Sequence, residues 1–242
     1  MYKRIPYSNQ EEWLKERGKG IGGSDAACIL GLNPYKSNVQ LYNHKKGIEK
    51  FDNIENQFTI YGHSVEEHIR GIFQATFLDL KVSHTDEIIV RTDKDYLRAS
   101  LDGEIEVMED TEFACYWKKN YADEQELPKP IKLKKGMKGI LEIKSTFILN
   151  SMSKEKWNNQ IPTNYYCQVL HYLNVKDDTS FVIIPALLVW EDVNKVKTCE
   201  IRFYAFLKED HIEDCKYLEE KETEFWENYI MKNIEPPLLL NI

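Results

Sequence analysis

Residues 139–145, Gly139-Ile140-Leu141-Glu142-Ile143-Lys144-Ser145, set an acid and a base into a run otherwise as apolar as a core strand. Alternate side chains of a strand share a face, so Glu142 and Lys144 point the same way. A charge in a core strand costs several kcal/mol unless it is paired or ligated. The segment therefore reads either as part of a functional site or as a structural salt bridge on a strand with one wet face. With 242 residues, 42% of them hydrophobic, the chain has enough apolar material for one large α/β core or two small domains. Disorder and a fibrous architecture are excluded.

Other segments supply what flanks that strand. Ser8-Asn9-Gln10-Glu11 has capping-box spacing before Trp13 and Leu14, which predicts a helix over about 9–17. Ser24 suits an N-cap before Asp25-Ala26-Ala27-Cys28-Ile29-Leu30, and Ser37 with Gln40 opens a helix ending at Gly47. Val65, Ile69, Ile72, Phe73 and Phe77 recur at helical spacing and predict a long amphipathic helix over about 58–78. Strands are expected at about 81–91, 95–107, 139–146, 179–190 and 197–207, and helices at about 163–175 and 209–231. The polar, proline-bearing stretch 109–138 reads as an insertion or long loop. This order fits one mixed sheet flanked by helices, an α/β fold in a single domain over 1–242. Within it, 1–50 form a helical N-terminal segment, 57–208 the core, and 209–242 a C-terminal helix and tail.

Several acids and amides could join Glu142 and Lys144. Asp102 ends the strand-like Tyr96-Leu97-Arg98-Ala99-Ser100 segment, where Asp102-Gly103 also matches a hairpin turn. An Asp followed by Glu-x-Lys on a strand is what metal-assisted phosphodiester cleavage requires, with hard oxygens for Mg²⁺ and an ammonium beside the attacking water. On the long helix, 100° per residue puts Glu66 at the border of the buried stripe and Glu67 toward solvent. Glu66 could complete a metal shell or simply snorkel. His63 and His68 are five apart, not the four of a zinc-binding HExxH pair, and read as surface or supporting residues. Gln168 and Tyr172 are helical neighbours, with Tyr165 three residues before the Gln; these three could equally be structural.

Charge and cysteine usage bound the partners. The net charge of −8 argues against a nonspecific nucleic-acid coat, though Lys129, Lys132, Lys134, Lys135, Lys138 and Lys144 face only Glu142 within 129–144. Cys28, Cys115, Cys167, Cys199 and Cys215 form no CxxC pair, so free thiols are expected and structural zinc is not. No run approaches a membrane span, and Met1-Tyr2-Lys3-Arg4-Ile5-Pro6 lacks a secretory apolar stretch. A cytoplasmic protein without membrane contact is expected, in the host cytoplasm if phage-encoded.

Taken in order, five fragments resemble the lambda-exonuclease branch of the PD-(D/E)XK nucleases, the phage YqaJ-like viral recombinases. They are Arg17…Gly22-Gly23-Ser24-Asp25, Tyr61-Gly62-His63-Ser64-Val65-Glu66, Ser100-Leu101-Asp102-Gly103, Leu141-Glu142-Ile143-Lys144 and Tyr165-Tyr166-Cys167-Gln168. The resemblance implies a restriction-endonuclease-like core. It implies Mg²⁺, replaceable by Mn²⁺, held by Asp102, Glu142, Glu66 and the backbone carbonyl of Ile143. It also implies Lys144 as the catalytic lysine, Gln168 as support for the site and the scissile strand, and Tyr165 as a substrate-binding neighbour. Arg17 and Ser24, seven apart, would bind a 5′-phosphate. A helix N-terminus beside an arginine is independently a reasonable anion site.

The implied activity is resection of one strand of linear duplex DNA, 5′ to 3′, leaving a 3′ single-stranded overhang. A homotrimeric ring and a single-strand annealing protein as partner are implied with it. The sequence departs from the family pattern at Leu101, where the family has proline, and in the 39 residues between Asp102 and Glu142. Within that insertion Tyr116, Trp117, Lys118 and Lys119 could stack bases and hold phosphates, or form a solvated loop with one half-buried aromatic. Two other readings remain. One is a site-specific or structure-specific endonuclease of the same chemistry; an iron–sulfur variant of it lacks a cysteine cluster. The other is a catalytically silent DNA-binding module of the same fold.

Overall fold

A computed structural model describes residues 1–49, 57–118, 129–192 and 194–239, with the backbone alone for 57–63. In chain order the elements are β1 (Tyr2–Pro6), α1 (Gln10–Gly18), α2 (Gly23–Ile29), α3 (Asn38–Lys45), α4 (Gln57–Thr76), β2 (Leu80–Ser83) and β3 (Glu87–Arg91). Then come β4 (Arg98–Ala99), β5 (Gly103–Val107), β6 (Thr111–Phe113), β7 (Ile131–Leu133), β8 (Lys138–Leu141), β9 (Lys144–Phe147) and α5 (Ser151–Glu155). The chain continues through α6 (Thr163–Val175), β10 (Phe181–Glu191), β11 (Lys197–Leu207), a 3₁₀ turn at Lys208–His211, α7 (Ile212–Phe225) and a π turn at Trp226–Ile230.

The strands divide among three sheets rather than one. The central mixed sheet runs β11-β10-β8-β5-β2, with β9 continuing β8 alongside β10. β8 and β9 are parallel to β10, as the intervening helix α6 requires, while β11, β5 and β2 join antiparallel. A second sheet, β1-β3-β4, uses the N-terminal strand, which the helical reading of 1–50 does not contain. The long strand expected over 81–91 is therefore two strands in two sheets, broken at His84-Thr85-Asp86. The third sheet, β6-β7, lies within the 109–138 stretch, which is thus partly ordered strand; its residues 119–128, including Lys119, fall outside the described residues.

Strand β10 shows why the core has two halves. Val182, Ile184, Ala186 and Leu188 face one apolar cluster with α2, α6 and α7, whereas Phe181 and Ile183 face another with Ile69 and Phe73 of α4. Both faces are covered, so the strand reads as a nearly continuous apolar run. Within α6, buried His171 has Glu222 Oε1 of α7 2.6 Å from Nδ1 and the Arg98 carbonyl 2.8 Å from Nε2. The carbonyl can only accept, so Nε2 carries a proton; Nδ1 and the Glu222 carboxyl share another, and although burial opposes the charge, Glu222 raises the His171 pKa.

Local corrections follow from capping and packing. Helix α1 starts one residue later than the spacing suggests, because the Asn9 side chain accepts the Glu12 N–H. Ser24 is not the cap of α2: Gly22 is, and the Asp25 carboxylate accepts the Gly22 N–H at 3.0 Å. The Ser37–Gln40 capping box forms as read. On α4 the buried positions are Ile69 and Phe73, while Ile72 is 48% exposed, so the stripe centres closer to Glu66 and Arg70 than the apolar pattern implies. Among the described residues no helix is long and apolar enough to cross a membrane, and the five cysteines are free thiols.

Candidate active site

Asp102, Glu142 and Lys144 meet at the junction of β5, β8 and β9. Asp102 lies in the bend between β4 and β5, which pair with different sheets, so Asp102-Gly103 is not a hairpin turn. Its Oδ2 accepts the Ile143 N–H at 2.7 Å. Glu142 and Ile143 form a two-residue break between β8 and β9, just before Lys144, that the continuous-strand reading of 139–145 does not contain. The break has a cause on the neighbouring strand. Glu142 donates its N–H to the Ile183 carbonyl at 3.0 Å, and the next rung of a parallel ladder would return an N–H from residue 185 to the Glu142 carbonyl. Residue 185 is proline and has no N–H to give.

Around this break the side chains interlock. Lys144 Nζ donates to Glu142 Oε1 at 2.5 Å and sits 4.8 Å from the Tyr165 ring centroid. Gln168 Nε2 donates to the same Glu142 oxygen and to the Tyr172 hydroxyl, each at 2.8 Å. The other oxygen, Glu142 Oε2, is buried without a hydrogen-bond partner. From α4, Glu66 is half-buried and shares a hydrogen bond with Asp102, while Glu67 and His68 are exposed, as the helical spacing predicts. His63 lies among the residues described by backbone alone. Arg70, one turn beyond Glu66, donates Nε–H to the Asp102 backbone carbonyl at 2.8 Å.

The electrostatics follow from crowding acids in a partly dry place. Burial, and then the Asp102 charge, push Glu142 up to about 8 and Glu66 up to about 7. Burial raises Asp102 as well, against the pull of Lys144 and the Ile143 N–H. For Lys144, burial works against the ammonium but Glu142 and Asp102 outweigh it, so its pKa is raised. The acids here take protons or pair with Lys144 and backbone N–H. Among the described residues no group of three His, Cys, Asp or Glu side chains is already gathered as a ligand set. The donor chemistry nevertheless suits a hard divalent cation: three carboxylates converge on one junction, and one buried carboxylate oxygen has no other partner.

A second constellation adjoins the first. Arg17 lies 4.9 Å over the Trp13 ring and donates to the Ser24 hydroxyl. Trp13 in turn donates Nε1–H to Ser100 Oγ at 3.2 Å, two residues before Asp102. Beneath Ser24, buried Asp25 pairs with Lys45 Nζ at 2.7 Å. Burial opposes the Asp25 charge, but Lys45 and Arg17 hold its carboxyl well below the usual range. A Cβ on Gly23 would stand 2.5 Å from Tyr172 Cε1 and 2.9 Å from Gln168 Cγ, so the Arg17–Ser24 turn packs directly on the pair that holds Glu142.

Sequence reasoning missed Arg70, Pro185 and Lys45. Only Arg70 left a local signal, its i+4 spacing from Glu66. Tyr116 is committed elsewhere: its ring lies 4.1 Å from the Arg202 guanidinium and its N–H bonds the Phe203 carbonyl at 2.7 Å. Lys134 and Lys138 pair with Asp110 and Asp178.

A central mixed sheet with helices on both faces, an Asp at the head of β5 and Glu-x-Lys across the β8–β9 break beside it, is the PD-(D/E)XK fold. Within that class the chain belongs to the YqaJ-like viral recombinase domain family, whose profile matches residues 12–179. YqaJ of Bacillus subtilis (strain 168) is 26% identical over 236 residues, covering 95% of this chain and 59% of that protein. The chain thus spans a little over half the length of its curated relative. Among solved structures, the alkaline exonuclease LHK-Exo of Laribacter hongkongensis aligns at TM-score 0.53 and 14% identity, over 93% of this chain and 97% of that one. LHK-Exo in complex with dAMP aligns at 0.56 and 14%, over 92% and 94%.

Proposed function

We propose that this chain is a divalent-metal-dependent deoxyribonuclease that resects one strand of linear duplex DNA, 5′ to 3′, to leave a 3′ overhang. The observation that carries the reading is the buried Glu142: it is held by Lys144 and Gln168 through one oxygen and presents the other unpartnered beside Asp102. Asp102, Glu142, Glu66 and the Ile143 carbonyl would hold Mg²⁺ or Mn²⁺. Such an ion, when bound, supplies Lewis-acid polarisation of a phosphoryl oxygen and a water of lowered pKa. Lys144, fixed between Glu142 and the Tyr165 face, directs its ammonium to charge developing on the phosphate. Gln168 holds Glu142 in one rotamer and, with Tyr165, borders the scissile strand.

Polarity is assigned to Arg17 and Ser24. A terminal phosphate carries more charge than an internal one, and a guanidinium beside a hydroxyl distinguishes the two. That the relative LHK-Exo was solved with dAMP, a deoxynucleoside monophosphate, is consistent with release of single nucleotides here. The same reading takes residues 1–242 as one nuclease domain acting in the cytoplasm, as a ring-like homo-oligomer working with a single-strand annealing protein. Incubation of linear and covalently closed circular duplex with Mg²⁺, with and without EDTA, tests the activity. Loss of the linear form alone, abolished by EDTA, is expected. Nicking of the circle favours an endonuclease, and no cleavage of either form leaves a silent DNA-binding module.

A further inference from the structure

We propose that Arg70 is a positioning residue for the divalent cation, locking α4 onto the Asp102 bend so that Glu66 and Asp102 stand close enough to share one ion. The inference rests on the metal-nuclease reading and deepens it. Glu66 and Asp102 come from elements far apart in sequence, a helix and an irregular bend, and neither belongs to a hydrogen-bonded ladder that would fix their separation. A shared proton joins the two carboxyls in the hydrogen bond between them, but once both are ionised to hold a cation they repel each other, which works to lift the helix from the bend. Arg70 opposes this in two ways. Its Nε–H donates to the Asp102 carbonyl at 2.8 Å, a bond across 32 residues that ties the backbone of one acid to the helix of the other. Its guanidinium also lies close enough to both carboxyls for its positive charge to offset the repulsion between them.

The geometry makes a division of labour. Asp102 is pinned at its side chain by the Ile143 N–H and at its backbone by Arg70. Glu66, four residues before Arg70 on the same helical face, is carried to Asp102 by that backbone contact. Glu142, in the break itself, needs no such help, because Lys144 and Gln168 already hold it. Arginine suits the task and lysine does not: a planar fork can aim one N–H at a carbonyl while keeping its charge spread between two carboxylates, whereas an ammonium is a point charge on a flexible stem.

Outer-sphere partners of this kind typically carry ten- to a hundredfold in metal affinity, so about tenfold is the expected loss. The test is Mn²⁺ binding to the DNA-free full chain by isothermal titration and by Mn²⁺ electron paramagnetic resonance, with thermal melting in parallel. Arg70→Ala is expected to weaken Mn²⁺ binding about tenfold, Arg70→Lys to recover part of that loss, and cleavage at saturating Mn²⁺ to return to within a few-fold of wild type. If Arg70→Ala does not fold, Arg70→Met takes its place, since it keeps an apolar stem and removes both the N–H and the charge. Wild-type affinity in the variant, with or without a lower Tm, overturns the positioning role, as does full recovery by Arg70→Lys. Wild-type protein that binds no Mn²⁺ at all sinks the metal-nuclease reading itself, a failure visible before any variant is compared.

Discussion

A single methyl group at Gly23 tests whether the Arg17–Ser24 turn and the Glu142 site are mechanically one unit. In Gly23→Ala the new Cβ would lie 2.5 and 2.8 Å from Tyr172 Cε1 and Cζ and 2.9 Å from Gln168 Cγ, inside van der Waals contact with all three. Tyr172 is buried on α6, so its ring cannot swing into solvent; either α2 backs away or the ring and Gln168 move together. Overpacking of this kind costs about 1–3 kcal/mol. In a chain of this size each kcal/mol lowers Tm by about 2–4 °C. The larger effect should be on catalysis. Gln168 Nε2 bonds both Tyr172 and Glu142, so displacing it by several tenths of an ångström moves the carboxylate, and misplacement by about 1 Å costs on the order of 10²-fold in rate. The assay pairs thermal melting with the initial rate of duplex resection. Gly71→Ala is the control, because nothing lies within 4 Å of its added Cβ in the interior of α4 and it should gain about 0.5–1 kcal/mol. A Gly23→Ala protein that melts and cleaves like wild type would refute the coupling.

Three further expectations can be checked with the same protein. Asp102→Ala, Glu142→Ala and Lys144→Ala should each reduce cleavage by at least about 10³-fold while circular dichroism stays unchanged, and Glu66→Ala should be severe where the exposed Glu67→Ala is nearly silent; equal effects of the two helix substitutions contradict the helical-face argument. Arg17→Ala should abolish the preference for 5′-phosphorylated over 5′-hydroxyl ends yet keep metal-dependent cleavage, and a wild type that treats both ends alike removes the phosphate assignment. The His171–Glu222 pair should give a pH-dependent stability. Burial opposes the imidazolium, but Glu222 and the Arg98 carbonyl outweigh it and raise His171 above 6.5. A raised folded value means that the stabilisation is complete below about 6.5 and is lost as pH climbs through the folded value, by up to about 1.4 kcal/mol for every tenfold by which folding tightens the proton's binding. The Tm difference between wild type and His171→Gln should therefore shrink from pH 6 to pH 9, and a constant difference disproves the charged pair.

What the sequence disclosed and what it hid divide along physical lines. Features governed by neighbours within a few residues were legible: the Ser37–Gln40 capping box, the long helix α4, and strand β11 with both of its ends. So was the same-face placement of Glu142 and Lys144, because strand periodicity depends on nothing distant. Features set by remote partners were not. Tyr2–Pro6 is a strand only because Glu87–Arg91 offers it an edge. The ladder opens at Glu142 because of Pro185, forty-three residues on, and no property of 139–145 announces it. Gly22 caps α2 in place of Ser24 because Asp25, neutralised by Lys45 from α3, turns back to the Gly22 N–H and leaves the serine hydroxyl to Arg17. Ile72 is exposed although it belongs to the apolar pattern, since the helix is rotated to bring Glu66 and Arg70 over the Asp102 bend.

The central claim, that these residues make a metal-dependent nuclease working inward from a 5′ end, is tested most directly by one labelling experiment. A linear duplex carrying label at its 5′ termini is compared with the same duplex labelled at its 3′ termini, each with wild type and with Glu142→Ala in Mg²⁺. Wild type is expected to release the 5′ label early as a mononucleotide while the 3′ label stays in long single strands, and Glu142→Ala to release neither. Early release of the 3′ label, internal cuts that shorten both substrates alike, or undiminished release by Glu142→Ala would contradict it.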